Sequence, residues 1–199
     1  VGSEMCIRDR SATLTEPIDV PVLRAALDVT VRRFPSMAVR LRRGVFWYYL
    51  EEIPQAPEIQ PEKSCPLAHV PFGRVRRCAF RVLVYHNRVA VEFFHAVTDG
   101  TGGLIFLKTL VAEYLCQKYG ITVPAEKGVL GRLEEPSPQE LEDSFLRYAG
   151  DVTASRAEST AYHLSGTPEK DGYKNLVTMM VPVDRVRACA RQYLSLIHI

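Results

Sequence analysis

The chain has 199 residues, of which 47% are hydrophobic and 24% charged, and a formal net charge of +2. That composition is globular and excludes a disordered or collagen-like chain. The near balance of charge argues against a dedicated nucleic-acid binder, which carries a larger basic excess. No apolar run approaches the roughly 18–20 residues of a membrane span. Cys6, Cys65, Cys78, Cys116 and Cys189 are scattered, with no C-x-x-C. This fits reduced thiols, buried as small hydrophobes, in a cytoplasmic protein.

The first ten residues, VGSEMCIRDR, carry no period, and LSLIHI closes the chain after a helix that has barely turned. Both strings resemble translated sequencing read-through. Residues 1–10 and 193–199 are therefore expected to be non-native and are set aside. The natural protein is expected to be longer, with its true N-terminus absent.

Ser11–Glu16 alternates small or polar with apolar residues and predicts a strand, broken by Pro17. Asp19 as N-cap and Pro21 in the first turn predict a helix over 20–33. Val22, Leu23, Ala26, Leu27, Thr30, Val31 and Phe34 recur at helical spacing and make it amphipathic, and Pro35 ends it. Met37–Leu41 and Val45–Leu50, around Arg42-Arg43-Gly44, predict a hairpin. Pro54, Pro57, Pro61 and Pro66 mark a loop or sheet edge.

A second hairpin joins Cys78–Tyr85 to Val89–Phe94 across His86-Asn87-Arg88, and its apolar second strand is expected to be central and covered on both faces. A helix follows Asp99-Gly100-Thr101-Gly102-Gly103 and stops at Gly120. Residues 121–136 read as irregular. Ser137, with Glu140 three residues on, predicts a capping box opening a helix over 138–149. A long connection over 150–174 leads to a strand at Leu176–Val183 and a helix from Asp184 to Gln192, with Val186, Ala190 and Tyr193 inward. The fold class is α+β, with mostly antiparallel strands and helices on one side.

Of the histidines at 69, 86, 95, 163 and 198, His95 has the informative setting. It ends the buried strand and opens His95-Ala96-Val97-Thr98-Asp99-Gly100, an H-x-x-x-D-G string before a helix. In a chain of this composition such a string is expected by chance roughly 0.01 times. A base belongs at the end of a rigid strand, and an imidazole can take and return a proton near neutrality. Asp99 is expected to pair with an arginine and stiffen the turn. Gly100 is expected to supply a backbone angle closed to other residues. Gly102 and Gly103 allow close packing under the helix. A plainer reading has His95 satisfied by backbone and Asp99 capping the helix. Thr98, Thr101 and Gly102 are candidates for lining an acceptor pocket, against simple turn or cap roles.

His95 to Gly103 resembles the HxxxDG signature of the CoA-dependent acyltransferase superfamily, with its chloramphenicol acetyltransferase-like fold. Phe34–Glu51, and Gly166-Thr167-Pro168 with the run into Asp184, are similar to bacterial alcohol acetyltransferase-like proteins. The resemblance covers about 11–192. It implies an N-terminal lobe over 11–150, a connection over 151–175 and the start of a second lobe over 176–192. It also implies a truncated two-lobed enzyme whose site lies in a channel between lobes.

His95 would be the general base, and Asp99 and Gly100 structural. Acyl-CoA or a carrier thioester would be co-substrate, and a hydroxyl or amine the acceptor. No metal and no permanently bound cofactor is implied. Many relatives carry a second histidine where this chain has Phe94. The crossover strand and the oxyanion-holding hydroxyl would lie beyond residue 199, so the chain alone is expected to be inactive. A condensation-like binding or carrier-docking protein without turnover is the alternative. Two basic clusters, Arg40, Arg42 and Arg43 with Arg74, Arg76 and Arg77, are candidate contacts for CoA phosphates or a carrier, or else charged strand edges. Phe46–Tyr49 would line an acyl pocket or, more ordinarily, pack in the core.

Overall fold

The computed structural model describes residues 7–62, 72–142, 147, 166 and 179–192. The chain divides into two units, Val1–Gly150 and Asp151–Ile199. The first is α+β.

Its first strand, β1, runs Ile7–Thr13, so it starts earlier than Ser11 and ends before Glu16. It begins inside the segment set aside as foreign. The early ending has a physical cause: Thr13 meets Arg88, the last residue offering a ladder partner. From Leu14 the chain bonds instead to the neighbouring turn, Leu14 N–H donating to the Asn87 carbonyl at 2.8 Å.

Helix α1, Val20–Arg33, forms as its caps predict. The Asp19 carboxylate accepts from Val22 N–H at 3.2 Å, satisfying one orphan donor. Tyr114, buried on the opposite helix, accepts from the Asp19 N–H at 2.9 Å and so ties the start of α1 into the core.

The next two strands, β2 (Val39–Arg43) and β3 (Tyr48–Glu52), pair antiparallel as a separate two-stranded ribbon. The turn falls at Gly44–Trp47, not at Arg42–Gly44, closed by Gly44 N–H donating to the Trp47 carbonyl at 2.7 Å. The aromatic run is therefore not core. Phe46 is 90% exposed and Trp47 62%, because only the Val39 end of the ribbon packs, against Val75 and Ala79.

The main sheet adds β4 (Ile59–Pro61), β5 (Phe80–Tyr85) and β6 (Arg88–Phe94), in the order β1-β6-β5-β4. β4 is a parallel edge strand, where Pro61 is tolerated, and the other pairs are antiparallel. A short helix, α2 (Phe72–Val75), precedes β5. β6 is central and buried on both faces. Val89, Val91 and Phe93 face the helices, while Ala90 and Glu92 alternate to the other side.

Helix α3, Gly100–Tyr119, lies with α1 over the first of these faces. The core between them is built on aromatic rings. The Phe106 centroid is 5.1 Å from Phe34, 5.3 Å from Phe80 and 5.3 Å from Phe93, all edge-on. Gly120, at φ 65°, ends α3 in the left-handed region.

Glu92 is the exception in an apolar strand. Its side chain is 1% exposed, and Arg81 across the ladder donates to it through Nε at 2.5 Å. Standing together offsets the cost of burying the Glu92 carboxylate and most of the Arg81 side chain.

Beyond α3, the expected capping box is rerouted. α4 spans Pro138–Leu141; the Ser137 hydroxyl accepts from no backbone N–H and donates to Glu140 Oε1 at 3.2 Å, while the Glu140 carboxylate keeps the reciprocal bond to the Ser137 backbone. Arg33, almost fully buried at the end of α1, takes both Glu140 oxygens. The remainder of the 138–149 prediction lies mostly outside the described residues, as do Leu176–Thr178 and the connection apart from Gly166.

In the second unit residues 179–182 form no strand, and Val183 already opens helix α5, Val183–Gln192. Ala190 is buried but Val186 is 46% exposed, against the expected inward face. Tyr193 lies outside the described residues.

Two stability outcomes follow from the charged pairs. Glu92→Ala takes this carboxylate away from the largely buried Arg81 side chain and should cost about 1–3 kcal/mol in urea unfolding. Arg81→Met with Glu92→Leu should recover most of that loss. Hydrogen bonds from Arg33 hold the Glu140 carboxyl below its ordinary 4.5. The stability it contributes is thus present above pH 4.5 and lost as pH falls through the lowered value. Subtracting the acid-unfolding curve of Glu140→Gln from that of the unaltered chain should show a gap that closes on acidification.

Candidate active site at the end of the central strand

β6 delivers the chain to His95, and a tight turn follows, Val97 N–H donating to the Phe94 carbonyl at 3.0 Å. His95 is half-buried. The turn is fixed at both ends. On one side Phe94 N–H donates to the Ala79 carbonyl at 2.8 Å. On the other, Asp99 is the N-cap of α3, its carboxylate accepting from Gly102 N–H at 2.7 Å. Asp99 thus caps the helix, and no described arginine pairs with it.

The arginine that reaches this turn is Arg10, whose Nε donates to the Gly100 carbonyl at 3.1 Å. Gly100 does not serve an unusual backbone angle, since Gly120 and Gly128 are the described glycines with positive φ, and a side chain there would have to displace the flexible end of Arg10. A β-carbon on Gly100 would stand 2.6 Å from an Arg10 Nη. The constraint at Gly102 is tighter, because a β-carbon there would lie 2.2 Å from Thr98 Oγ1. At Gly103 it would press the Phe93 ring at 3.3 Å. The D-G-x-G-G spacing therefore lets the first turn of α3 seat directly on the strand end and on Thr98. Thr98 is half-buried and Thr101 exposed. The structure brings His95, Thr98, Asp99, Gly100, Thr101 and Gly102 into one strand–turn–helix.

A cleft of about 620 Å³ opens beside this turn, lined by Arg40, Arg77, Arg81, Glu92, Phe80 and Phe94 among others. It reaches Phe94, the residue before His95, but none of the motif residues lines it. Cys78 also lines it. Burial pushes that thiol up to about 11, so it is protonated near neutrality and is no nucleophile. Glu92 and Arg81 went unremarked in the sequence reading. The signal for them was a carboxylate inside an otherwise apolar strand, which is rarely buried unless paired.

No family model matches the chain, and no curated protein matches it. Among solved structures, the chain is similar to the SgcC5 protein from Streptomyces globisporus, at 20% identity over 61% of this chain and 32% of that one, with a TM-score of 0.48. It is similar to VibH, an NRPS condensation enzyme, at 19% identity over 62% and 32% of the two chains, with a TM-score of 0.44. The starter condensation domain of the rhizomide synthetase RzmA gives 14% identity over 62% and 35%, with a TM-score of 0.46. The chain spans about a third of the length of each.

Gly102→Ala should destabilise the chain by about 1–3 kcal/mol, since the added methyl overlaps Thr98 Oγ1. Thr98→Ala in the same chain should restore most of that loss. A thermal unfolding series of the two single variants and the double variant measures the coupling.

Proposed function

We propose that this chain carries the base-bearing part of an acyltransferase that moves an acyl group from a thioester to a hydroxyl or amine. One observation carries the reading: an imidazole at the terminus of a doubly buried strand, followed by a capped helix that fixes its position. It stands alongside the HxxxDG resemblance.

In this reading the His95 imidazole accepts the proton of the acceptor's hydroxyl or amine as that atom attacks the thioester carbonyl. The carbonyl π electrons move to oxygen and give a tetrahedral oxyanion. Its collapse reforms the carbonyl and breaks the C–S bond. The departing thiolate takes the proton back, and the imidazole is neutral again. Acyl-CoA or a carrier thioester is the donor. Asp99, Gly100 and Gly102 act on geometry alone, by holding the turn. Thr98 and Thr101, on the same turn, are the candidates for meeting the acceptor.

A binding or carrier-docking protein without turnover is the second reading. It is favoured by one observation, that the 620 Å³ cleft excludes His95 from its walls. The two separate in one assay. In the protein carrying both lobes, thiol release from a panel of acyl-CoA donors should fall about 10²–10⁴-fold in His95→Ala. The 199-residue chain alone should release none. A rate unchanged in His95→Ala removes the histidine from the chemistry. Thioester binding without release, equal in both proteins, leaves the docking reading.

A further inference from the structure

We propose that the β2–β3 ribbon docks this protein on an anionic lipid surface, its aromatic tip entering the interface and its arginines meeting lipid phosphates. The proposal is independent of acyl transfer.

The tip is unusually apolar for an exposed turn. Val45 is 78% exposed, Phe46 90%, Trp47 62% and Tyr48 55%, and Tyr49 and Leu50 continue the exposed run. Contiguous apolar surface of this kind marks an interaction site. Trp and Tyr in particular favour the boundary between hydrocarbon and water. The tip is also held in shape by the Gly44–Trp47 hydrogen bond, so ordering it on contact costs little.

The charges behind the tip are arranged in sequence. The first two rungs of the ribbon pair Arg43 with Tyr48 and Arg42 with Tyr49. Glu51 lies opposite Arg40, three rungs in, and its carboxylate accepts from Arg42 Nε at 2.9 Å and from Arg40 Nε at 2.5 Å, so among the described residues Arg43, nearest the tip, is the ribbon arginine without a carboxylate partner. Arg76 comes from outside the ribbon to join Arg42, Arg43 and Leu41 around a recess of about 370 Å³. The two basic clusters of the sequence thus partly converge, beside the aromatic tip. The aromatic tip, then Arg43, then the Arg42–Glu51–Arg40 cluster is the order that a headgroup layer would meet on approach. A layer of phosphodiesters complements it in charge.

A second copy of the chain fits less well, since isologous pairing of this face would bring like arginine clusters together. No helix among the described residues is long and apolar enough to cross a membrane, so the contact would be peripheral.

Trp47 is the sole tryptophan, so the intact chain reports on its own tip. Vesicles of phosphatidylcholine containing phosphatidylglycerol should shift its emission to the blue. Vesicles of phosphatidylcholine alone should shift it far less, and high salt should reverse the shift. Phe46→Ser and Arg43→Glu should each weaken vesicle partitioning by about tenfold or more without changing the circular dichroism spectrum. Inorganic phosphate at matched concentration should leave the emission unchanged. The proposal is overturned by no shift with any vesicle, or by equal shifts on neutral and anionic vesicles. It is overturned equally if phosphate alone abolishes partitioning, which would make the recess a free-anion site. An emission already blue without lipid, together with a dimeric mass in sedimentation, would assign the face to a second copy instead.

Discussion

The contact between Phe93 and the first turn of α3 holds the rest of the fold in place. Phe93 is fully buried on β6 and stacks with Phe80, at 5.7 Å between centroids, while Phe106 of α3 meets both rings edge-on. Gly103 lets the helix come down onto the Phe93 ring. A strand ladder alone would fix β6 only relative to its neighbours. This contact also fixes the helix that leaves the strand, so the few residues between Phe94 and Gly100 have little freedom left. Aromatic packing of this kind is both large in buried area and directional.

The site inherits its geometry from that packing. The backbone at His95 is held from both sides, because the chain enters it from a fixed strand and leaves it into a capped helix. The division of labour along the motif follows. Asp99 spends its carboxylate on Gly102 N–H, and the glycines make room for Arg10, Thr98 and Phe93. Asp99 and the glycines therefore shape the turn. The charged chemistry nearby lies on the opposite face of the sheet, in the Arg81–Glu92 pair beside the cleft.

How much of this was legible beforehand depended on whether the deciding partner was close in sequence. The limits of α1 were readable because Asp19, Pro21 and Pro35 act within a turn of the helix ends. The β5–β6 hairpin and the αL stop at Gly120 were readable for the same reason. The HxxxDG string was readable because its residues are contiguous. Phe46–Tyr49 was misread as core because apolar character says nothing about whether a second layer exists to cover it. Gly100 was misread because the atom that crowds it belongs to Arg10, about ninety residues away. Glu140 looked like half of a capping box, yet Arg33, distant in the chain, offers it a charged partner that the Ser137 backbone cannot match. Leu176–Val183 has strand composition, but residues 179–182 meet no ladder.

The exposed run Val45–Leu50 has a further cost that belongs to the unfolded and associating chain. It holds six residues of high strand propensity with no charge and no proline, the kind of segment that stacks into cross-β fibrils. Its flanks carry what opposes this: Arg42 and Arg43 on one side, Glu51 and Glu52 on the other. In-register stacking would pile like charges at the fibril spacing, so these four side chains act as gatekeepers. A surface left apolar at its tip is in this way kept from self-assembly by the residues at its base.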